Sequence, residues 1–530
     1  MTFLSKLNPS KRLSKPVKLA ILSGILFGTS YIPFPPWALL FCLCPLFLTL
    51  TRDISKDESP YRVFFVAWLT PFVFTLIGFH WIPTPIMEFG HMPAIAGYIG
   101  LVAFASFSNL HIPFAAVIWH RFNQRLSFTQ EQSFFALALL IAFLEKINPQ
   151  IFPWYFGYPW FYGDFPIYQL ADTIGVTGLS SLVVIFNAWV LYIFVNIRNR
   201  PLFKKHVTYF VLVFALLNGI GLYKKSVWEK TDTELKALLV QPNIGNQEKQ
   251  WEIFGTEFKS KTIEKHFELT TPELANNPDV VIWPETSVPE FMQPRFYRVK
   301  AVKQVLDYVR ANKFNLFTGA FTENIKTKRQ SNAIFVFDEK AKNTALYQKH
   351  ILLAFGEYLP LSNYFPFLLK LFPTIADFER GIGPHTVSIN KRDHESVRLG
   401  PQICYEGLHP WFTKGLVDDG ADILVNITND SWFGHTFEPY QHMYMTLMRA
   451  IEFRRPMIRV TNTGISSVIT ASGKILEFSP QKQEWARTTA LPYLKNAPKT
   501  IYSRFLYFDY LAVALALIWI LRLYKIKRKQ

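Results

Sequence analysis

Cysteine is nearly missing from this chain, with three in 530 residues. That excludes a small secreted scaffold stapled by disulfides. Charge is scarce as well, at 18% of residues, and acid is scarcer than base, with 39 Asp and Glu against 56 Lys and Arg. So little charge beside 50% apolar and 16% aromatic residues excludes a disordered or collagen-like chain. The net charge of +17 does not mark a nucleic-acid binder. Residues 231–495 hold 31 Lys and Arg against 29 Asp and Glu, and the remaining 25 basic and 10 acidic residues flank long apolar runs. Nucleic-acid recognition would need the basic patch on the folded domain, so no nucleic-acid partner is expected. Also lacking is a small-x-small cleavage site after the first apolar run, so the basic start reads as an uncleaved anchor and not a signal peptide.

What is present is a set of eight apolar stretches of roughly membrane-spanning length, at 18–34, 36–51, 62–82, 93–118, 132–148, 175–196, 206–223 and 503–523. Lys6, Lys11, Arg12, Lys15 and Lys18 precede the first, and Arg522, Lys525, Lys527, Arg528 and Lys529 close the chain. Alternate loops carry Arg52, Lys56 and Arg62, then Arg121 and Arg125, then Arg198, Arg200, Lys204 and Lys205. The intervening loops are almost free of positive charge, which predicts both termini in the cytoplasm and residues 231–495 on the far side of the membrane. The organisation expected is a membrane domain over 1–230 with seven helices, an exported domain over 231–495, and a last span with a basic tail over 496–530. Glu145, near the outer end of the fifth span, is a functional candidate because an ionisable group is costly there, although Lys146 or a backbone N–H as partner would explain it equally.

Within 231–495, Leu235–Val240, Val280–Trp283, Leu316–Ala320, Ala333–Phe337, Arg398–Cys404, Ile423–Ile427 and Ile458–Thr461 read as strands, with Arg298–Lys313 and Gln441–Arg455 as helices between them. This is an α/β pattern, in which ligand-binding residues gather beyond the carboxyl ends of strands. Three reactive residues lie there: Glu285, Lys349 and Cys404. An acid, an ammonium and a thiol suit nucleophilic catalysis, because the thiol needs a base and a cation can hold an oxyanion. Cys42 and Cys44 fall in a span, which leaves Cys404 alone in the exported domain; by itself that fits a buried structural cysteine better. His409, His435 and His442 sit in no HExxH or two-His zinc spacing and read as structural, so no metal or cofactor is expected.

WPET at 283–286, YQKHILLAFGEYLP at 347–360, ICYEG at 403–407 and NDSWFG at 429–434 resemble the nitrilase superfamily. VQPNI at 240–244 with Trp251, the stretch at 152–180 and that at 440–466 are more similar still to its membrane-anchored branch, the apolipoprotein N-acyltransferases. The resemblance implies eight spans around an exported αββα sandwich, and a Glu–Lys–Cys triad at Glu285, Lys349 and Cys404. It implies ping-pong acyl transfer from the first acyl position of a phospholipid, usually phosphatidylethanolamine, through a Cys404 thioester. The acceptor would be the α-amine of a lipoprotein's diacylglyceryl-cysteine, in a bacterial inner membrane with the catalytic domain in the periplasm. Glu357 and Glu406 are implied as orienting groups for Lys349 and the amine, and Tyr405 and Trp251 as residues that handle substrate. The apolar run 358–378, with Phe365, Leu368 and Leu369, reads either as a core helix or as an arm that dips into the outer leaflet. Two other readings stand beside this one: a membrane-tethered amidase in which water takes the thioester, and an inactive scaffold or transporter.

Overall fold

A computed structural model describes residues 14–527, apart from 89, 91, 127, 151, 246, 355, 361, 363, 366 and 368–377; the side chains of 247–254, 256, 521 and 523–527 also lie outside the description. Four stretches of helix, 60–78, 94–126, 166–195 and 200–227, are long and apolar enough to cross a membrane, and a shorter apolar helix covers Phe508–Ile520. Helices Lys15–Gly28 and Gln130–Ile147 overlap the first and fifth expected spans.

The second expected span, 36–51, is not one continuous helix: turns run from Trp37 to Leu43, followed by a short helix at Cys44–Leu48. Neighbouring side chains satisfy the backbone groups that this break leaves without a ladder partner. Asn187 accepts the Leu43 N–H at 2.7 Å and donates to the Leu39 carbonyl at 2.8 Å. Ser23 accepts the Leu46 N–H at 3.3 Å, and Ser30 accepts that of Ala38 at 3.0 Å. In lipid each backbone polar group needs such a partner, which accounts for Asn187 inside the sixth apolar run. Glu145 accepts the Phe156 N–H at 3.2 Å through one carboxylate oxygen, while Lys146 pairs with Asp509 of the last helix.

Among the described residues, the second half of the chain carries thirteen strands. The first six are β1 (Thr233–Gln241), β2 (Val280–Ile282), β3 (Val288–Phe291), β4 (Asn315–Glu323), β5 (Gln330–Phe337) and β6 (Asn343–Gln348). The rest are β7 (Val387–Asn390), β8 (Ser396–Ile403), β9 (Ile423–Thr428), β10 (Met457–Thr461), β11 (Ser467–Ile469), β12 (Ile475–Phe478) and β13 (Trp485–Tyr493). One sheet has the order β13-β1-β2-β4-β5-β6 with β3 paired to β4, the other β12-β11-β10-β9-β8-β7. Side chains alternate across β1: Leu235, Ala237 and Leu239 join the core that also holds Ile403 and Val425 of the second sheet, whereas Leu238 and Val240 pack with Val302 and Val305 of helix Lys300–Asn312. Both faces of the sheet are buried, which is why its strands read as near-continuous apolar runs. Helices Pro410–Asp418 and Glu438–Phe453 lie against the second sheet. The seven strands expected from sequence are all present, and the run 344–348 that leads to Lys349 falls in β6; β3, β7 and β11–β13 were not legible, being three or four residues long or, in β13, alternately exposed.

Two buried polar clamps join this domain to the membrane helices. Gln441 donates to the carbonyls of Ile32 and Gly78 and accepts from the Trp81 indole. Arg454 donates to both the side chain and the carbonyl of Gln169, to the Ala471 carbonyl, and twice to Asp172 at 2.8 and 3.0 Å. All five guanidinium hydrogens are thereby used. Arg454→Met is expected to cost about 3–5 kcal/mol, because it strands a buried carboxylate, with the lower end favoured by Lys224, which still pairs with Asp172 at 2.7 Å. Thermal unfolding in detergent checks it, and an unchanged midpoint would contradict the clamp.

Candidate active site

Glu285, Lys349 and Cys404 each follow the carboxyl end of a strand, β2, β6 and β8, so two come from one sheet and the thiol from the other. The site therefore lies on the seam between the sheets. Beyond β2 the chain turns sharply, with Thr286 at φ +55°. That turn rests directly on β4, where a Cβ on Gly319 would stand 2.5 Å from the Pro284 carbonyl and 2.7 Å from the Glu285 Cα. Only glycine permits this approach. Beyond β8, Cys404 itself adopts φ +51°, an uncommon left-handed conformation for a residue with a side chain.

The Lys349 ammonium is buried between two carboxylates, 2.7 Å from Glu357 Oε1 and 3.4 Å from Glu285 Oε1. Glu357 fixes its second oxygen on the Leu353 N–H at 2.9 Å. Glu285 accepts from Asn332 Nδ2 at 2.6 Å and from the Asn429 N–H at 2.8 Å. Glu406 is turned elsewhere. Its carboxylate accepts the Tyr347 hydroxyl and the N–H groups of His350, Ile351 and Ile403, all within 3.1 Å. It thus ties the end of β6, which carries Lys349, to the turn that carries Cys404.

A family model described as "Carbon-nitrogen hydrolase" matches residues 239–494, and one described as "Apolipoprotein N-acyltransferase N-terminal domain" matches 23–189. The chain is 43% identical over 506 residues to the apolipoprotein N-acyltransferase of Bdellovibrio bacteriovorus, covering 94% of this chain and 92% of that one. With the protein of the same description from Geobacter metallireducens it shares 30% over 485 residues, 88% and 87% of the two chains. This chain belongs to the apolipoprotein N-acyltransferase family. A carbon-nitrogen hydrolase structure from Helicobacter pylori G27 overlays 56% of this chain and 95% of its own at a TM-score of 0.35 and 15% identity; the assignment does not depend on it. Family membership makes the protein a membrane acyltransferase and supports that reading over an amidase.

The charge state of the enzyme's site follows from its geometry. Burial pushes Glu285 up to about 7, raised further by the Glu357 charge and only partly offset by Lys349. Burial alone would neutralise Lys349, but Glu357 and Glu285 outweigh it and hold the ammonium above its ordinary range. Burial, then the Glu285 charge, pushes the Cys404 thiol up. At rest the site therefore holds a neutral thiol, a cationic lysine and a carboxylate that titrates near neutrality. Lys349, as an ammonium, has no lone pair with which to take a proton, whereas Glu285 as a carboxylate has.

Other residues singled out from sequence fall around this centre. Tyr405 packs its ring on Phe152, from the membrane half, and on His409. Trp251 lies on helix Gln247–Glu273 with its side chain outside the described residues. Phe365 is exposed, as are Tyr364 and Phe367, while Leu368 and Leu369 lie outside the described residues. His442 is bonded to Asp430 at 3.0 Å. Asp430, Glu438 and His442 converge within 4.8 Å, but Arg459 pairs with Asp430 at 3.0 Å, so the protein supplies the cluster's positive charge itself. Asn332 and Asn429 were missed from sequence. A single asparagine in an apolar strand, or one acting through its backbone, leaves no spacing to read.

Proposed function

We propose that the protein transfers an acyl chain from the first position of a phospholipid, phosphatidylethanolamine foremost, to the α-amine of a lipoprotein's diacylglyceryl-cysteine. The observation that carries this is the buried Lys349 held between Glu285 and Glu357 on the seam where Cys404 emerges. Glu285 takes the Cys404 proton as sulfur attacks the ester carbonyl. Two Lys349 hydrogens are engaged by the carboxylates, and the third faces the oxyanion. Collapse of the tetrahedral intermediate expels the lysophospholipid alkoxide, which receives the proton from Glu285, and leaves a thioester. The lipoprotein amine then attacks the thioester, Glu285 removes its proton, and the thiol is restored. The reaction requires no cofactor or metal.

The proposed setting is the bacterial inner membrane, crossed eight times with both termini cytoplasmic, residues 1–230 and 496–530 as the membrane part and 231–495 in the periplasm. The alternating basic loops support this orientation. Both substrates are lipids, so a domain held at the membrane surface meets them at high effective concentration. The exposed Tyr364, Phe365 and Phe367 support a role for 358–378 as an arm that enters the outer leaflet.

The test uses the purified enzyme in detergent, phosphatidylethanolamine labelled on its first acyl chain, and a diacylglyceryl-cysteine peptide, followed by mass spectrometry. Label on Cys404 without the peptide, passing to the peptide amine when it is added, is the expected result. Release as free fatty acid alone would replace the transferase reading with a hydrolase.

A further inference from the structure

We propose that Thr428 is a further catalytic residue whose hydroxyl turns from Asp430 to the Cys404 sulfur whenever that sulfur becomes negative. The inference rests on Cys404 being the nucleophile. β8 and β9 run parallel, with Ile403 paired to Ile427, so Cys404, the first residue beyond β8, and Thr428, the last of β9, each directly follow that paired position. Residues two apart on a strand share a face. Asn426, on the Thr428 face, donates to the Cys404 carbonyl at 3.1 Å, so this face looks onto the nucleophile's turn. Thr428 is fully buried, and its hydroxyl donates to Asp430 Oδ1 at 3.3 Å, a long bond. It also lies within hydrogen-bonding reach of the Cys404 thiol, where it favours the thiolate.

A neutral thiol at rest makes little demand on this donor, and Asp430 takes it. Asp430 does not depend on it, because Arg459 and His442 each bind it at 3.0 Å. When Glu285 removes the thiol proton, and again when the thioester collapses, sulfur carries charge in a buried site where Glu285, Lys349 and Asp430 are the charges that face it. Lys349 is then committed to the carbonyl oxygen. The Thr428 hydroxyl can turn to the sulfur at once, keeping its own proton throughout. Charge-assisted hydrogen bonds are roughly twice as strong as neutral ones, so the donor moves to where the charge develops.

The test compares Thr428→Val and Thr428→Ser in the full-length enzyme. One readout is the pH dependence of Cys404 alkylation by iodoacetamide, scored on the Cys404 peptide; the other is single-turnover acylation by labelled phosphatidylethanolamine. Thr428→Val is expected to move the alkylation profile to higher pH and slow acylation about 10- to 100-fold. Thr428→Ser should stay within about 3-fold of wild type on both. Thr428→Ala serves in place of the valine variant if that one fails to fold. Wild-type behaviour of the hydroxyl-free variant would overturn the proposal, as would equal impairment of the serine variant, which would point to packing. An alkylation shift in an enzyme that accepts no label from the lipid would uphold Thr428 and discard the donor assignment.

Discussion

Cys404→Ala is expected to lower acyl transfer by at least about 10⁴-fold, with no label retained on the protein. The size follows from the roles of the neighbouring groups. Glu285 has only the thiol proton to take, and Lys349 has no oxyanion to hold unless sulfur first attacks. Removing the nucleophile therefore removes the benefit of both. Adding Glu285→Gln or Lys349→Met to the alanine variant should cost almost nothing more, since residues that act as one unit lose their effects together. Cys404→Ser is expected to be nearly as inactive, because a hydroxyl is far harder to deprotonate with a carboxylate that titrates near 7. Folding should survive: Cys404 is only partly buried, and alanine accepts the φ of +51° no less readily than cysteine. Intact-protein mass after incubation with labelled phospholipid reads acylation directly, alongside single-turnover rates. Transfer retained above about one per cent in a folded alanine variant would remove Cys404 from the reaction.

The sequence announced the strands of this site more clearly than the contacts between them. Val280–Ile282 and Ser396–Ile403 are mostly buried runs and Asn343–Gln348 is a half-exposed edge strand, and Glu285, Lys349 and Cys404 stand beyond their carboxyl ends, so position made them candidates and the family resemblance made them a triad. That Glu285 and Lys349 share one sheet while Cys404 comes from the other depends on long-range pairing and carries no local signal. Glu406 illustrates the limit. Its place two residues beyond Cys404 was readable, but its bonds to Tyr347, His350 and Ile351 join segments more than fifty residues apart. The broken stretch at 36–51 was hidden for a related reason. Hydropathy sums side chains, whereas the break is permitted by three polar side chains, Ser23 and Asn187 from neighbouring helices and Ser30 from the turn before it. The Arg454–Asp172 clamp spans 282 positions and looks, in sequence, like one charge among many.

Glu285→Gln is expected to cost about 10²- to 10⁴-fold in acylation and to abolish the acid limb of the pH profile. Burial raises this carboxyl to about 7, so below that pH it carries a proton and cannot accept another from the thiol. Wild-type kcat/KM should therefore rise with pH and level off above about 7. Stability should run the other way. The folded state holds the Glu285 proton up to about 7, while the unfolded chain releases it near the ordinary value of 4.5. Between those limits the native protein binds more protons than the unfolded one, so this group's contribution to stability falls as pH rises and is flat beyond them. If Glu285 is the base, the pH window in which its ionisation lowers stability is the one in which activity should appear. Asn332 Nδ2 and the Asn429 N–H both point at Glu285, so the glutamine amide must set its NH2 against one of them. Glu285→Asp, which keeps the charge but shortens the reach, separates that misfit from the loss of the base: it should retain an acid limb at reduced rate. Stopped-flow acylation between pH 5 and 9 for wild type and both variants decides the matter. A glutamine variant that keeps the wild-type limb would transfer the role of base from Glu285 to another group.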